Sequence, residues 1–425
     1  MASHARLATP GGPSRAWVGP ASGAPRAAAA LHPIVLAAFY VMIVSFNFEM
    51  PNRSFGGWEI PAMTAALFLF TSPLALRACY GALPGPLVFF GVFLWVFAVS
   101  TLVQGWVILA DVRHFFLVLV EAVLVCWASV NLLARERVGS VALWCFVGSS
   151  VARAVLPMVG VGRTSYAVWT GGERITAFGQ NANFSAILLS AGLVTLLGLT
   201  YGKHGAPRWV RLLAWPMGAL IGIAIVDTGS RGGLLALGAG LLAFVFTPAV
   251  SLKLRLRNTA VAALAIGLLT AAALHTAVMR NRFEATTETG SMAGREQLFP
   301  SLVDMFLEKP LAGWGPINNQ YEVAARTTDM VKERRDAHNL LLELLTAEGL
   351  AGTVPFVVGL GGCVLAAWRG RASPYGIVPL TLVALFLAAN LSTNLVAYKP
   401  LWWVLALALA SGRLAARART HQSGL

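Results

Sequence analysis

One histidine beside an aspartate is the strongest candidate for acid–base chemistry in this 425-residue sequence. His338 lies in the run Asp336-Ala337-His338-Asn339, where a polar stretch gives way to an apolar one. An imidazole near a carboxylate, at a boundary between water and a hydrophobic layer, is suited to act as a general base. The alternative is a surface or helix-capping histidine, and position alone does not separate the two.

The second candidate is an arginine in a glycine-rich turn, Asp227–Gly233, with the sequence DTGSRGG. Its glycines allow a tight bend, the free N–H groups of the next helix begin there, and Arg231 could meet an anion. This arrangement is typical of a phosphate site. An interfacial arginine beside a simple turn would give the same pattern.

A third polar segment, residues 163–183, contains Arg174 and the run Gly179-Gln180-Asn181-Ala182-Asn183. Asn and Gln at the start of an apolar helix indicate hydrogen bonding to a sugar or phosphate, or only a helix start. Glu121 and Arg153 fall inside apolar stretches, where ionisable residues are functional candidates by default.

Long apolar stretches must position these groups. The sequence is 57% hydrophobic and only 12% charged, with a mean hydropathy of +0.69, whereas soluble proteins carry about 25% charged residues. Stretches of about 20 apolar residues can cross a membrane as helices. We therefore predict an all-α integral membrane protein with about twelve transmembrane helices, at residues 33–48, 60–76, 85–103, 115–133, 139–157, 184–202, 212–227, 233–250, 259–279, 345–367, 376–394 and 400–412.

The distribution of charge predicts the orientation of these helices. With both termini in the cytoplasm, the short cytoplasmic segments are rich in Lys and Arg, and Glu136 is their one carboxylate. This anchoring explains the net charge of +14 and gives no indication of nucleic-acid binding. The predicted order is a disordered cytoplasmic tail (1–30), helices one to nine (31–279), a periplasmic loop subdomain (280–344), helices ten to twelve (345–412) and a cytoplasmic tail (413–425).

The loop at residues 280–344 is too long to be structureless. Its apolar residues recur at helical spacing, which predicts an amphipathic helix on the membrane surface or on the bundle. These residues are Leu298, Phe299, Leu302, Val303, Phe306 and Leu307. The loop also contains Arg280, Arg282 and Arg295, any of which could face an anionic ligand.

The order of these motifs resembles the O-antigen ligase / Wzy-type polymerase superfamily. The resemblance covers residues 174–352. It consists of Arg174–Asn183, Thr228–Gly232, the stretch from Gly294-Arg295 to Pro310–Gly315, and His338-Asn339 followed by Leu342-Glu343 and Glu348–Gly352.

The resemblance implies a GT-C-like glycosyltransferase, located in the inner membrane of a bacterium, that moves a glycan from undecaprenyl diphosphate to a hydroxyl on the periplasmic face. By that analogy His338 acts on the acceptor hydroxyl, and Arg231 and Arg295, with Arg174, bind the diphosphate. Asp336, Asn339 and Glu348 are possible helpers. No metal or other cofactor is implied, which agrees with the lack of a clustered Asp motif.

The acceptor stays open at this point. In ligases it is a lipid A–core glycolipid, and in polymerases it is a second lipid-linked glycan; protein O-glycosylation and exopolysaccharide synthesis are also possible. A flippase or other transporter for lipid-linked glycans could have a similar number of helices. Such a transporter should show repeat-like halves and charges on both sides of the membrane midplane, whereas the polar residues here gather on one side.

Overall fold

The structure, a computed structural model, describes residues 31–49, 59–106, 108–168, 172–201, 206–247, 251–290, 294–327 and 333–423. The predicted tail at residues 1–30 lies outside this part of the chain. The described residues form sixteen α-helices and one two-stranded sheet.

The helices are numbered in chain order. Their bounds are α1 Pro33–Ser45, α2 Ile60–Thr71, α3 Leu76–Tyr80, α4 Gly85–Gln104, α5 Leu109–Leu133, α6 Glu136–Met158, α7 Ala182–Tyr201, α8 Arg208–Asp227, α9 Arg231–Leu242, α10 Leu252–His275, α11 Ala277–Thr289, α12 Arg295–Glu308, α13 Asn318–Arg326, α14 Leu340–Arg369, α15 Val378–Ala389 and α16 Lys399–Ser423.

The apolar helices confirm a multi-pass membrane protein. Among the described residues, nine helical segments are long and apolar enough to cross a membrane, and three shorter apolar helices span Pro33–Ser45, Arg231–Phe246 and Val378–Ala389. Each predicted span overlaps one of these twelve segments. Twelve crossings and a periplasmic loop stay predictions, because the three shorter segments fall below the length of a full crossing.

Aromatic and aliphatic side chains fill the centre of the bundle. Trp402 and Trp403 of α16 are fully buried, and the ring of Trp402 lies 4.9 Å from that of Phe90 in α4. Other large apolar side chains, such as Phe70 and Leu102, face outward. An apolar outer surface is what a lipid environment requires of a helical bundle.

The prediction of an all-α chain missed one element, a β-hairpin formed by β1 (Arg163–Ala167) and β2 (Glu173–Ala177). Short runs with β-branched residues such as Thr164 and Ile175 suit an extended backbone. Gly162 and Gly172 adopt φ of +65° and +87°, which glycine tolerates best. The hairpin packs against α6, α7 and α8.

The predicted loop subdomain contains most of α11 and all of α12 and α13. The predicted amphipathic helix is α12: Leu298, Leu302 and Met305 are buried, whereas Val303 and Leu307 are exposed. The C-terminal helix α16 continues to Ser423, so no change of structure marks the predicted tail at 413. We call the end of the bundle that carries the hairpin, α11, α12 and α13 the loop end.

Candidate functional site

The hairpin fixes Arg174 at the loop end. Arg174 lies opposite Tyr166 in the strand register, with its guanidinium 5.7 Å from the centre of the Tyr166 ring. Its Nε donates a hydrogen bond to the carbonyl oxygen of Thr228 at 2.5 Å, and its Nη2 donates to Oδ1 of Asn183 at 3.1 Å. Arg174 therefore connects three elements: the hairpin, the start of α7 and the turn before α9.

The turn before α9 is fixed by side-chain hydrogen bonds. Ser230 caps α9, because its Oγ accepts from the backbone N–H of Gly233 at 3.1 Å, and it donates to Oδ1 of Asn183 at 2.9 Å. Gly229 has φ of +57°, and a Cβ at this position would lie 2.6 Å from Cγ1 of Val278. The glycine is needed here for both reasons.

Arg231 and Arg282 tie this turn to α11. Nη1 of Arg231 donates to the carbonyl oxygen of Arg282 at 2.7 Å and to the hydroxyl of Thr286. Nη1 of Arg282 donates in return to the carbonyl oxygen of Gly229 at 2.7 Å. Two guanidinium groups are thus held side by side on partners that are neutral oxygens.

Arg295, at the start of α12, completes what we call the arginine cluster: Arg174, Arg231, Arg282 and Arg295. Its Nη2 donates to the carbonyl oxygen of Ser392 at 2.9 Å. Arg280, which the sequence left as a competitor, lies outside this cluster, because it is exposed and faces Glu284 at 4.0 Å. Sequence analysis named Arg282 only as a competitor of Arg295, and the structure brings both of them into the cluster.

The electrostatics of the cluster favour an anion. Burial, together with the charges of Arg174, Arg231 and Arg295, lowers the pKa of Arg282 to about 10. Burial also lowers the pKa of Arg174 and of Arg295, and in Arg295 the carboxylates of Asp336 and Glu296 oppose this effect. Because cations that are partly desolvated near one another are destabilised, a bound anion would relieve that energy.

His338 lies next to Asp336, as predicted. Nδ1 of His338 is 2.7 Å from Oδ1 of Asp336, and the same oxygen accepts the backbone N–H of His338 at 2.9 Å. An Nδ1–H facing the carboxylate leaves Nε2 as the nitrogen that can accept a proton. The side chain is 47% exposed, so a substrate can reach it, and Arg295 interacts electrostatically with Asp336.

The backbone around His338 is strained and held in place by Glu343. His338 adopts φ of +48°, which is uncommon for a residue other than glycine. Buried Glu343 accepts the backbone N–H of Ala337 through Oε2 at 2.8 Å, and its Oε1 accepts Nε2 of Gln320 at 2.7 Å. The sequence showed Glu343 as part of a motif but did not indicate this positioning role.

The other two predicted helpers occupy different positions. Asn339 caps α14: its Oδ1 accepts the N–H of Leu342 at 3.1 Å, and its Nδ2 donates to the carbonyl oxygen of Leu391 at 3.3 Å. Glu348 is buried at a break in α14, where Gly349 adopts φ of +61° and ψ of −158°. Within the described residues, no hydrogen bond or ion pair joins Glu348 to His338 or to the arginine cluster.

An apolar groove approaches the arginine cluster from the membrane-spanning part of the bundle. Its volume is about 560 Å³, and it lies between α7, α8 and α10. The groove extends from Tyr201 and Trp215 to Val226 and Ala272, and Val226 is two residues before Thr228, whose carbonyl binds Arg174. One end of the groove therefore lies close in the chain to the turn before α9.

The comparison with known protein families agrees with the motif order. Residues 216–357 match the family model described as O-antigen ligase. The matched segment contains Arg231, Arg282, Arg295 and His338, whereas Arg174 precedes it. No curated protein matches the chain.

Proposed function

We propose, from the match of residues 216–357 to the O-antigen ligase family model, that this membrane protein transfers a glycan from undecaprenyl diphosphate to a hydroxyl group. The proposed acceptor is a lipid A–core glycolipid, and the proposed location is the periplasmic face of a bacterial inner membrane. The observation that carries this proposal is the arginine cluster beside the Asp336–His338 pair at the end of an apolar groove. A diphosphate lipid needs cations for its head group and apolar surface for its chain.

In the proposed reaction, Nε2 of His338 accepts the proton of the acceptor hydroxyl as its oxygen attacks the anomeric carbon of the donor glycan. The bond between that carbon and the diphosphate oxygen breaks, and undecaprenyl diphosphate leaves. Asp336 orients the imidazole and stabilises its protonated form. The arginine cluster stabilises the charge that develops on the leaving diphosphate.

A polymerase reaction would use the same groups, with a second lipid-linked glycan as the acceptor. A flippase is less well supported, because the cluster and His338 gather at the loop end, whereas a transport path needs polar groups on both sides of the midplane.

The test is glycan transfer in proteoliposomes from an undecaprenyl diphosphate-linked donor, offered either a lipid A–core glycolipid or a second donor molecule. The choice of acceptor separates ligase from polymerase. We expect His338→Ala to abolish transfer with donor binding retained, and Arg231→Ala to weaken donor binding. Arg280→Ala, a change of the same type outside the cluster, is the control. Full transfer by the His338→Ala protein would exclude its role as the base.

A further inference from the structure

A second cavity, of about 310 Å³, lies at the loop end beside α1, α2, α5 and α16. This volume is within the range of about 300–1,000 Å³ that is usual for small-molecule sites. Unlike the apolar groove, this cavity is lined by several polar side chains from distant parts of the chain. These are Glu49, Glu59, His114, Arg334, Asn394 and Lys399.

The charges in this cavity disfavour an anion. Among the described residues that line it, Arg334 and Lys399 both have carboxylate partners, because Nη1 of Arg334 lies 2.9 Å from Oδ2 of Asp111, and Nζ of Lys399 lies 2.9 Å from Oε2 of Glu121. Burial and the nearby charge of Glu59 raise the pKa of Glu49 to about 7. A diphosphate would therefore meet two acidic groups here, in contrast to the arginine cluster.

The same lining suits a neutral ligand with many hydroxyl groups. Carboxylate and amide oxygens accept hydrogen bonds from hydroxyls. An aromatic wall stands beside them, in which Phe184 and Tyr398 stack with their ring centres 5.2 Å apart and their planes 20° apart. Such a wall can pack against the C–H face of a sugar ring.

The cavity adjoins the candidate active site through three chain segments. Phe184 directly follows Asn183, which accepts a hydrogen bond from Arg174. Asn394 is two residues after Ser392, whose carbonyl binds Arg295. Arg334 is two residues before Asp336, the partner of His338. The lining of the cavity is therefore continuous in the chain with residues that hold Arg174, Arg295 and His338.

We propose that this cavity binds the uncharged sugar portion of the acceptor and so presents one of its hydroxyl groups to His338. This inference rests on the proposed function. It also assigns the two ligands to different sides: the lipid-linked diphosphate to the cluster and groove, and the acceptor sugar to the cavity.

The steric test uses two neighbouring positions on α5. Val118 lines the cavity, so Val118→Trp fills it. Leu117 is 53% exposed and does not line it, which makes Leu117→Trp the matched control. We expect Val118→Trp to reduce acceptor use at least tenfold with the donor KM unchanged, and Leu117→Trp to behave as the wild type.

The chemical test is Glu59→Gln, with exposed Glu288→Gln on α11 as its control. The amide of glutamine can still accept from a hydroxyl, but a hydrogen bond to a carboxylate is roughly twice as strong as one to a neutral group, so the exchange should raise the acceptor KM about tenfold. If Glu59 has only a structural role, Glu59→Gln should leave the acceptor KM unchanged. The unfolding midpoint should then be unchanged or higher, because repulsion with Glu49 is reduced.

Both variants are measured in proteoliposomes with the undecaprenyl diphosphate-linked donor at saturation, titrating the lipid A–core glycolipid and, separately, a second lipid-linked glycan. Binding of the lipid-free oligosaccharide from each acceptor is measured in parallel by NMR. If the wild type transfers glycan, and neither Val118→Trp nor Glu59→Gln changes the acceptor KM or oligosaccharide binding, the acceptor subsite is overturned and the proposed function is intact. Oligosaccharide binding that depends on Val118 and Glu59, in a protein without transferase activity, would support the sugar site and refute the proposed function.

Discussion

Replacing Glu343 by glutamine should reveal how the loop before His338 is held. The two carboxylate oxygens accept three hydrogen bonds: Oε1 from Nδ2 of Asn319 at 3.2 Å and from Nε2 of Gln320 at 2.7 Å, and Oε2 from the N–H of Ala337 at 2.8 Å. The group is only 4% exposed, so water cannot replace a lost partner. Glutamine has one oxygen where glutamate has two.

Neither orientation of the new amide can satisfy all its neighbours. If its NH₂ group faces Ala337, two donors oppose each other at about the present 2.8 Å. If it faces Gln320, that side chain would have to turn over, and its Oε1 would then lose the Nε of Arg334, now at 2.6 Å. Leaving one buried polar group without its hydrogen-bond partner costs about 1–3 kcal/mol.

We therefore expect Glu343→Gln to lower the free energy of unfolding by about 2 kcal/mol. The strained backbone of His338 would also lose its support, so kcat should fall about tenfold. The donor KM should be unchanged, because within the described part of the chain no hydrogen bond joins Glu343 to an arginine of the cluster. Thermal unfolding in detergent and transfer kinetics in proteoliposomes measure the two effects. The control is Glu322→Gln, which removes a half-exposed ion pair with Arg326 and should change stability by less than about 1 kcal/mol. Wild-type stability and kcat in Glu343→Gln would refute the positioning role.

Three further changes test other parts of the structure. Gly349→Ala should lower the unfolding midpoint strongly, because Gly349 has φ of +61° and a Cβ there would lie 2.4 Å from the carbonyl carbon of Leu311. The control is Gly361→Ala, in open space on the same helix, which should leave the midpoint unchanged or higher. Equal midpoints for the two variants would contradict the packing at the α14 break. The pKa of Arg282 in the folded protein is lowered to about 10, so donor affinity should fall as the pH rises through about 10. Arg282→Met should remove this decrease in affinity. A decrease that persists in the variant would assign the titration to another group. Asp336→Asn should lower kcat about tenfold, measured at saturating donor and acceptor, because the neutral amide stabilises the His338 imidazolium less than the carboxylate does. An unchanged kcat would limit Asp336 to shaping the loop.

Local properties of the sequence were enough for much of this protein. Hydropathy along the chain predicted where apolar helices lie, because each helix satisfies its own backbone and its fit to lipid depends on its own residues. Asp336 and His338 are two residues apart, so their contact was also predictable. The glycine-rich turn before α9 and the helical spacing of the apolar residues in α12 were also predictable from local sequence.

Contacts between distant residues were decided only by the tertiary structure. Arg282 joins the cluster through Gly229, 53 positions earlier in the chain, whereas Arg280, two residues away, faces outward. Glu343 supports His338 through Ala337 and Gln320, and the cavity beside Glu49 draws on Arg334 and Lys399. A hydropathy pattern records which residues avoid water but contains no information on which buried polar groups meet. The direction in which each helix faces its neighbours sets that pairing.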